Sequence, residues 1–286
     1  MPKLKIVVTG ASGFIGGHLI EYLSGVANTE IIPLSRKELP NLTRVSSYDD
    51  APTGDVLIHL AEDNNLESVA NRGSSYESKA LGTLERLLAK KYKRTIYTSS
   101  STLYGDKSIT PHGTGDDIYV KSPYTRIKSL SESAVLENPN GMVIRLANVY
   151  GPFMSTNNVM SQILKQIPQQ GALEVGDVTP IRDFVWVHDV VEGISKLALM
   201  DLAEVGKPKM YNLGSGVGTS IGVLALLILE LAGQPERRVV SKSQTRVASN
   251  IVLDYSDTTN ACGWTPRTTL RQGIESLLNS NLRSEN

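Results

Sequence analysis

Thr9-Gly10-Ala11-Ser12-Gly13-Phe14-Ile15-Gly16 stands directly behind the apolar run Leu4 to Thr9 and ahead of His18, Leu19, Tyr22 and Leu23, which recur at helical spacing. A strand, a glycine turn and a helix start in this order form the arrangement that holds a dinucleotide pyrophosphate. Gly10 permits the tight turn, Gly13 lets backbone N–H groups approach phosphate, and Gly16 lets the helix lie close on the sheet. The helix N-terminus adds partial positive charge. Ser12, Phe14 and Ile15 complete the loop and join the three glycines as candidate cofactor contacts. Because glycines also end strands for conformational reasons alone, the flanking strand and helix carry as much weight as the triplet.

Apolar strands recur at Leu4 to Thr9, Glu30 to Leu34, Val56 to Leu60, Thr95 to Thr98 and Met142 to Leu146, with helices expected at about Gly13 to Leu23, Tyr76 to Ala89, Tyr124 to Leu136 and Asn158 to Gln166. Such alternation predicts an α/β fold, a Rossmann-type doubly wound parallel sheet covered on both faces. From about Phe153 the elements shorten and the loops grow rich in Gly, Pro and Gln, as in Ile167-Pro168-Gln169-Gln170-Gly171. Residues 1–152 are therefore expected to form the dinucleotide-binding domain and residues 153–286 a smaller C-terminal substrate-binding lobe.

With 286 residues and 40% hydrophobic content, the chain can bury one large core or two modest ones. Its 29 basic and 29 acidic residues cancel, which argues against general attachment to nucleic acid or membrane. Cys262 is the only cysteine, so no internal disulfide and no cysteine-based zinc site can form; no metal site is expected, and a reducing cytoplasm fits. The apolar run Ile221 to Leu231 is about half the roughly 20 residues that a membrane span needs. It reads as a buried helix, started by Thr219 or Ser220 and stopped near Gly233. The basic cluster Lys90-Lys91-Tyr92-Lys93-Arg94 reads as cations at a helix C-terminus, where the helix dipole favours them.

Tyr124-Thr125-Arg126-Ile127-Lys128 places a phenol and an ammonium four residues apart on one helical face, with Ser99, Ser100 and Ser101 upstream. A free phenol has a pKa of about 10 and is a poor base at neutral pH unless a nearby cation favours the phenolate. Lys128 can supply that charge while bonding the nicotinamide ribose, and Ser100 can hold the reacting oxygen against Tyr124. By itself the spacing also suits an ordinary amphipathic helix.

Together with the glycine turn, these residues resemble the extended short-chain dehydrogenase/reductase family of nucleotide-sugar epimerases, dehydratases and ketoreductases. The likeness is carried by TGASGFIG at Thr9 to Gly16, DVLIHLA at Asp55 to Ala61, TSSSTLYGD at Thr98 to Asp106, SPYTRIK at Ser122 to Lys128, RLANVYGP at Arg145 to Pro152, RDFVWVHDVV at Arg182 to Val191, and the tail GWTPRTTLRQGI at Gly263 to Ile274. The resemblance implies Ser100, Tyr124 and Lys128 as catalytic residues, and Leu60, Ala61, Glu62 and Ser99 as further cofactor contacts. It also implies a helix from Asp189 to Met200, which returns the chain to the dinucleotide domain in a segment near 178–205. Asn148, Asn158, Arg182 and Arg246 match substrate positions, the two arginines as a diphosphate clamp. Arg182 beside Asp183 also suits a local ion pair. Family members commonly dimerise through the helices corresponding to Tyr76 to Ala89 and Tyr124 to Leu136, so a homodimer is expected.

An NAD-binding member ends its second strand with an acidic residue about 20 residues beyond the glycines. This chain has Leu34-Ser35-Arg36-Lys37 there, and Ser35 and Arg36 suit the 2′-phosphate of NADP(H). NADP(H) is favoured, with NAD(H) the alternative. The family's dehydratases carry Thr-Asp-Glu where this chain has Ser100, Ser101 and Thr102, so dehydration lacks its acid and base. Two reactions at C4 of a nucleotide-diphosphate sugar remain: reduction of a 4-keto sugar by NADPH, and 4-epimerisation with retained NAD. A non-catalytic dinucleotide-binding sensor or scaffold is the competing class.

Overall fold

The structure, a computed structural model, describes residues 2–106, 108–201, 209–243 and 249–283. In its first half strands and helices alternate: β1 (Leu4–Thr9), α1 (Phe14–Ser24), β2 (Thr29–Ser35), β3 (Thr43–Arg44), β4 (Val56–His59), α2 (Leu66–Leu88), β5 (Arg94–Ser100), α3 (Pro123–Glu137) and β6 (Gly141–Leu146). Shorter elements follow: β7 (Asn148–Tyr150), α4 (Val159–Leu164), β8 (Leu173–Val175), β9 (Ile181–Trp186), α5 (Val187–Leu199), β10 (Lys209–Leu213), β11 (Gly218–Ser220), α6 (Ile221–Leu231), β12 (Val239–Ser241), β13 (Asn250–Ile251), α7 (Ser256–Cys262) and α8 (Leu270–Arg283).

Seven strands form one sheet in the order β10-β6-β5-β4-β1-β2-β3, every neighbour parallel. The two-residue period of a strand divides the core between its faces. Ile6, Val8, Ile58 and Ile96 face Leu19 and Leu23 of α1 and Val190, Ile194 and Leu197 of α5. On the other face Tyr97 and Val143 pack on Leu84 of α2 and Val135 of α3, while Val7 and Leu57 meet Leu87. Strand order reverses between β1 and β4, and a sheet of this type binds its ligand at the carboxyl ends beside that switch point.

The smaller lobe is built around β9, which pairs in parallel with β7 and β13 and antiparallel with β11. Its core joins Met160 and Ile163 of α4, Phe184 and Trp186 of β9, Leu224 and Ile228 of α6, and Ile274 and Leu277 of α8. The apolar run at α6 is the expected buried helix: Ser220 caps it by accepting from the Val223 N–H, and Gly233, at φ +71°, follows its end. No described helix is long and apolar enough to cross a membrane.

Several boundaries differ from the sequence expectation. The helix expected from Tyr76 begins at Leu66, capped by Asn65, and is broken at Gly73, where φ is +55°; its polar first half carries no apolar period. The helix expected from Asn158 to Gln166 contracts to α4, with Asn158 as its cap. The return helix starts at Val187 and leads on to β10, which takes the sheet's edge. Arg94, grouped by sequence with the exposed cations after α2, is buried and binds the carbonyls at the end of α5 instead.

Candidate active site

The turn between β1 and α1 is shaped by the absence of side chains. A Cβ on Gly10, where φ is +74°, would stand 2.9 Å from the Leu60 carbonyl carbon, and one on Gly16 would run into the Gly10 carbonyl oxygen. Leu60 and Ala61 therefore lie directly against the glycine turn. Gly13, whose own N–H is given to the Gly10 carbonyl, precedes α1 without a side-chain cap, and no acidic residue stands in the first turn, so the N–H groups of Phe14, Ile15 and Gly16 keep their capacity to bind an anion. A cavity of about 320 Å³ opens against Ala11, Ser12, Gly13, Phe14 and His18. The Ser99 hydroxyl, at the carboxyl end of β5, is buried with no partner. A backbone cradle, a free helix terminus and an orphaned hydroxyl are the features a dinucleotide would satisfy, and the residues fit that group.

At the end of β2, Ser35 is buried and its Oγ accepts from the Lys37 N–H at 2.9 Å. Arg36 is exposed, its guanidinium 5.6 Å from the centre of the Tyr48 ring. Arg44 on β3 stands in register with Ser35 and pairs with Glu38 at 2.9 Å. That third cation was missed by sequence reasoning, because a two-residue strand has no periodicity and its neighbour is set by the ladder alone.

Ser122 starts α3 with a capping box shared with Thr125, and Pro123 occupies the first turn, where its missing N–H costs nothing. This helix start places both Tyr124 and Lys128 on its buried side. Ser100 ends β5, and its Oγ lies 2.7 Å from the Thr102 hydroxyl and accepts from the Thr102 N–H. The Lys128 ammonium donates to the Thr98 carbonyl at 2.9 Å, two residues before Ser100, and pairs with the Glu62 carboxylate at 3.0 Å. It stands 4.8 Å from the ring centre of Tyr97 and 6.0 Å from that of Tyr124. The second oxygen of Glu62 accepts from Ser131, and Tyr97 donates to the oxygen that Lys128 also binds.

Burial opposes both charges of that pair, yet mutual attraction wins: the Glu62 carboxyl lies below its ordinary value and the Lys128 ammonium above its own. Burial, followed by the Glu62 charge, pushes the Tyr97 phenol well up. His59, bonded to the Thr9 hydroxyl at 2.7 Å, is pulled down to about 4 by burial and stays neutral, a structural group within the sheet.

In the smaller lobe, Asn148 pairs in register with Phe184, two positions along β9 from Arg182, so Asn148 and Arg182 share a sheet face. The Asn148 amide donates to the Asp183 carbonyl. Arg182 and Asp183 do not pair as local sequence suggested. The Arg182 guanidinium binds the Ile181 carbonyl and Ser249, while the Asp183 carboxylate accepts from the N–H groups of Ser215, Gly216 and Leu253 and the Ser215 hydroxyl. Asn158 is held by its capping role, accepting from the Ser161 N–H. Arg246 lies outside the described residues.

The sequence model of the NAD dependent epimerase/dehydratase family matches residues 6–214. The GDP-6-deoxy-D-mannose reductase of Pseudomonas aeruginosa is 29% identical over 310 aligned positions, taking in 98% of this chain and 99% of the relative. A putative UDP-glucose 4-epimerase of Methanocaldococcus jannaschii is 27% identical over 304 positions, 96% of this chain and 97% of the relative. Among solved structures, RMD from Pseudomonas aeruginosa complexed with NADPH superposes with a TM-score of 0.84 at 26% identity, over 99% of this chain and 100% of that one.

Proposed function

The chain belongs to the NAD dependent epimerase/dehydratase family, and from that premise we propose that it reduces the 4-keto group of a nucleotide-diphosphate sugar with NADPH. The observation that carries the reading is the end of β2, where Ser35 and Arg36 occupy the place of the ribose-bonding acidic residue and the exposed Glu38 beyond them is paired with Arg44. A 2′-phosphate meets cations there, whereas a bare ribose lacks the carboxylate it would bond. The NADPH complex of a full-length structural relative supports the same preference.

When bound, the reduced dinucleotide would supply a hydride for C4. Ser100 holds the ketone oxygen, the Tyr124 hydroxyl gives that oxygen its proton as the C–H bond forms, and the sugar leaves as the alcohol. Lys128 bonds the ribose and lowers the cost of the phenolate left on Tyr124. Arg182 meets the sugar diphosphate, with Arg246 a further candidate for the same clamp, while Asn148 contacts the substrate and Asn158 the base. Assembly as a homodimer through α2 and α3, in the cytoplasm, belongs to the same reading.

The second reading is 4-epimerisation with retained NAD, because the same three residues serve both directions of hydride movement at C4 and an epimerase relative spans the chain. The deciding experiment is a calorimetric titration of nucleotide-stripped protein with NADPH and NADH, followed by turnover of 4-keto nucleotide sugars. We expect NADPH preference and turnover that Tyr124→Phe abolishes while dinucleotide binding survives. NADH preference, or NAD that resists removal, transfers the reading to the epimerase; turnover intact in Tyr124→Phe removes Tyr124 from the chemistry.

A further inference from the structure

We propose that Glu62 is a positioning residue for hydride transfer, a buried carboxylate that holds the Lys128 ammonium so that one of its three N–H bonds is left for the dinucleotide ribose. The proposal rests on the reading of Tyr124 and Lys128 as the catalytic pair.

An ammonium has three donors and no acceptor. One is directed at the Thr98 carbonyl at 2.9 Å and one at Glu62 at 3.0 Å, so a single N–H remains. Glu62 itself is tightly held. Tyr97, on β5, donates to it at 2.6 Å and Ser131, three residues beyond Lys128 on α3, donates at 3.0 Å. Three donors on two oxygens in a side chain only 5% exposed leave this carboxylate engaged within the protein. Its link to the cofactor therefore runs through Lys128. The loop after β4, strand β5 and helix α3 all converge on the pair, which fixes the ammonium more firmly than its flexible four-carbon stem could.

The arrangement also keeps Lys128 charged. The titratable groups around it are His59 on β4, Glu62 in the following loop, Tyr76 on α2, Tyr97 on β5 and Tyr124 on α3. Burial holds His59 neutral and pushes the phenols of Tyr76 and Tyr97 up, so neither phenol supplies a negative charge near neutrality. The stabilising anion is Glu62. With an amide in its place, the largest charge opposing burial is removed and the Lys128 ammonium loses its proton at lower pH.

The test compares wild type with Glu62→Gln by NADPH and NADH titration between about pH 6 and 10, where a lysine of ordinary pKa is still charged over most of the range. We expect Glu62→Gln to bind the dinucleotide about tenfold more weakly at pH 7, the gap widening as pH rises. Turnover should show the same alkaline loss in kcat, with the sugar KM nearly unchanged. An affinity and kcat whose pH dependence matches wild type would make Glu62 a packing residue and overturn the proposal. Should Glu62→Gln fail to fold, Tyr97→Phe and Ser131→Ala each remove one bond that orients the carboxylate; both must move the alkaline limb down, and its constancy in both overturns the proposal equally. A wild-type protein that binds dinucleotide but reduces no 4-keto sugar would defeat the proposed reaction, while the pH dependence of binding still decides the role of Glu62.

Discussion

Gly16 and Gly17 are neighbours on α1 with opposite tolerances. A Cβ on Gly16 would meet the backbone of Gly10 and Ala11, which cannot yield without deforming the turn, whereas one on Gly17 would meet nothing within 4 Å. Gly16→Ala should cost about 1–3 kcal/mol of stability through overpacking and weaken dinucleotide binding. Gly17→Ala should gain about 0.5–1 kcal/mol, because alanine loses less backbone entropy in a helix. Urea unfolding of both variants, with an NADPH titration of Gly16→Ala, checks the pair; equal stability would mean that the close contact relaxes without cost. The glycine turn was legible in sequence because its physics is local: each residue's role follows from the strand before it and the helix after it. Tyr124 and Lys128 were legible for the same reason, one helical turn apart. The bond between Lys128 and Glu62 was not, since the resemblance marks Glu62 only as a cofactor contact and the adjacency of β4 and β5 is what brings it under α3.

Helix ends show the same division at the scale of elements. Ser220 before α6 and Ser122-Pro123 before α3 announce their helices, because a cap binds N–H groups two or three residues ahead. The end of α5 is closed from elsewhere in the chain. Arg94, 3% exposed at the start of β5, donates Nη1 to the carbonyls of Leu197, Ala198 and Met200 and Nη2 to that of Asp201. Helix C-termini favour cations, but no local pattern says which helix a given arginine will serve. Arg94→Ala strands these carbonyls and should lower stability by about 3 kcal/mol, within the range for bonds to a charged donor. Arg94→Lys should recover only part, since an ammonium lacks the planar fork. Unfolding midpoints in guanidinium settle the order; a neutral Arg94→Ala would mean that water replaces the cap. β3 and β10 were invisible to sequence reading because short edge strands owe their conformation to the ladder beside them.

At the scale of the whole molecule, acid should act on the centre of the large sheet. His59 and Thr9 are partners in the β1–β4 register, at the switch point, and their side chains are joined by a 2.7 Å hydrogen bond. Burial pulls His59 from its ordinary 6.5 down to about 4, so the unfolded chain takes up the proton first. The sign follows: this contribution is fully present above about pH 6.5 and is lost as pH falls towards 4, a loss of roughly 3 kcal/mol at most. Glu62, its carboxyl held below the usual range, adds a second loss below about pH 4.5 as its pairing with Lys128 is broken. Asp183 works in the opposite direction, because burial raises its carboxyl despite the donors around it, but it does so from the smaller lobe. Acid should therefore loosen the large sheet before it loosens the smaller lobe. Thermal unfolding of wild type should show Tm falling between about pH 6.5 and 4, and His59→Gln, which has no proton to gain there, should flatten that slope even if its Tm at pH 7 is lower. A wild-type Tm that stays level over this interval, or a variant that declines as steeply, would separate acid unfolding from the neutral histidine between β1 and β4 and place its origin among the carboxylates instead.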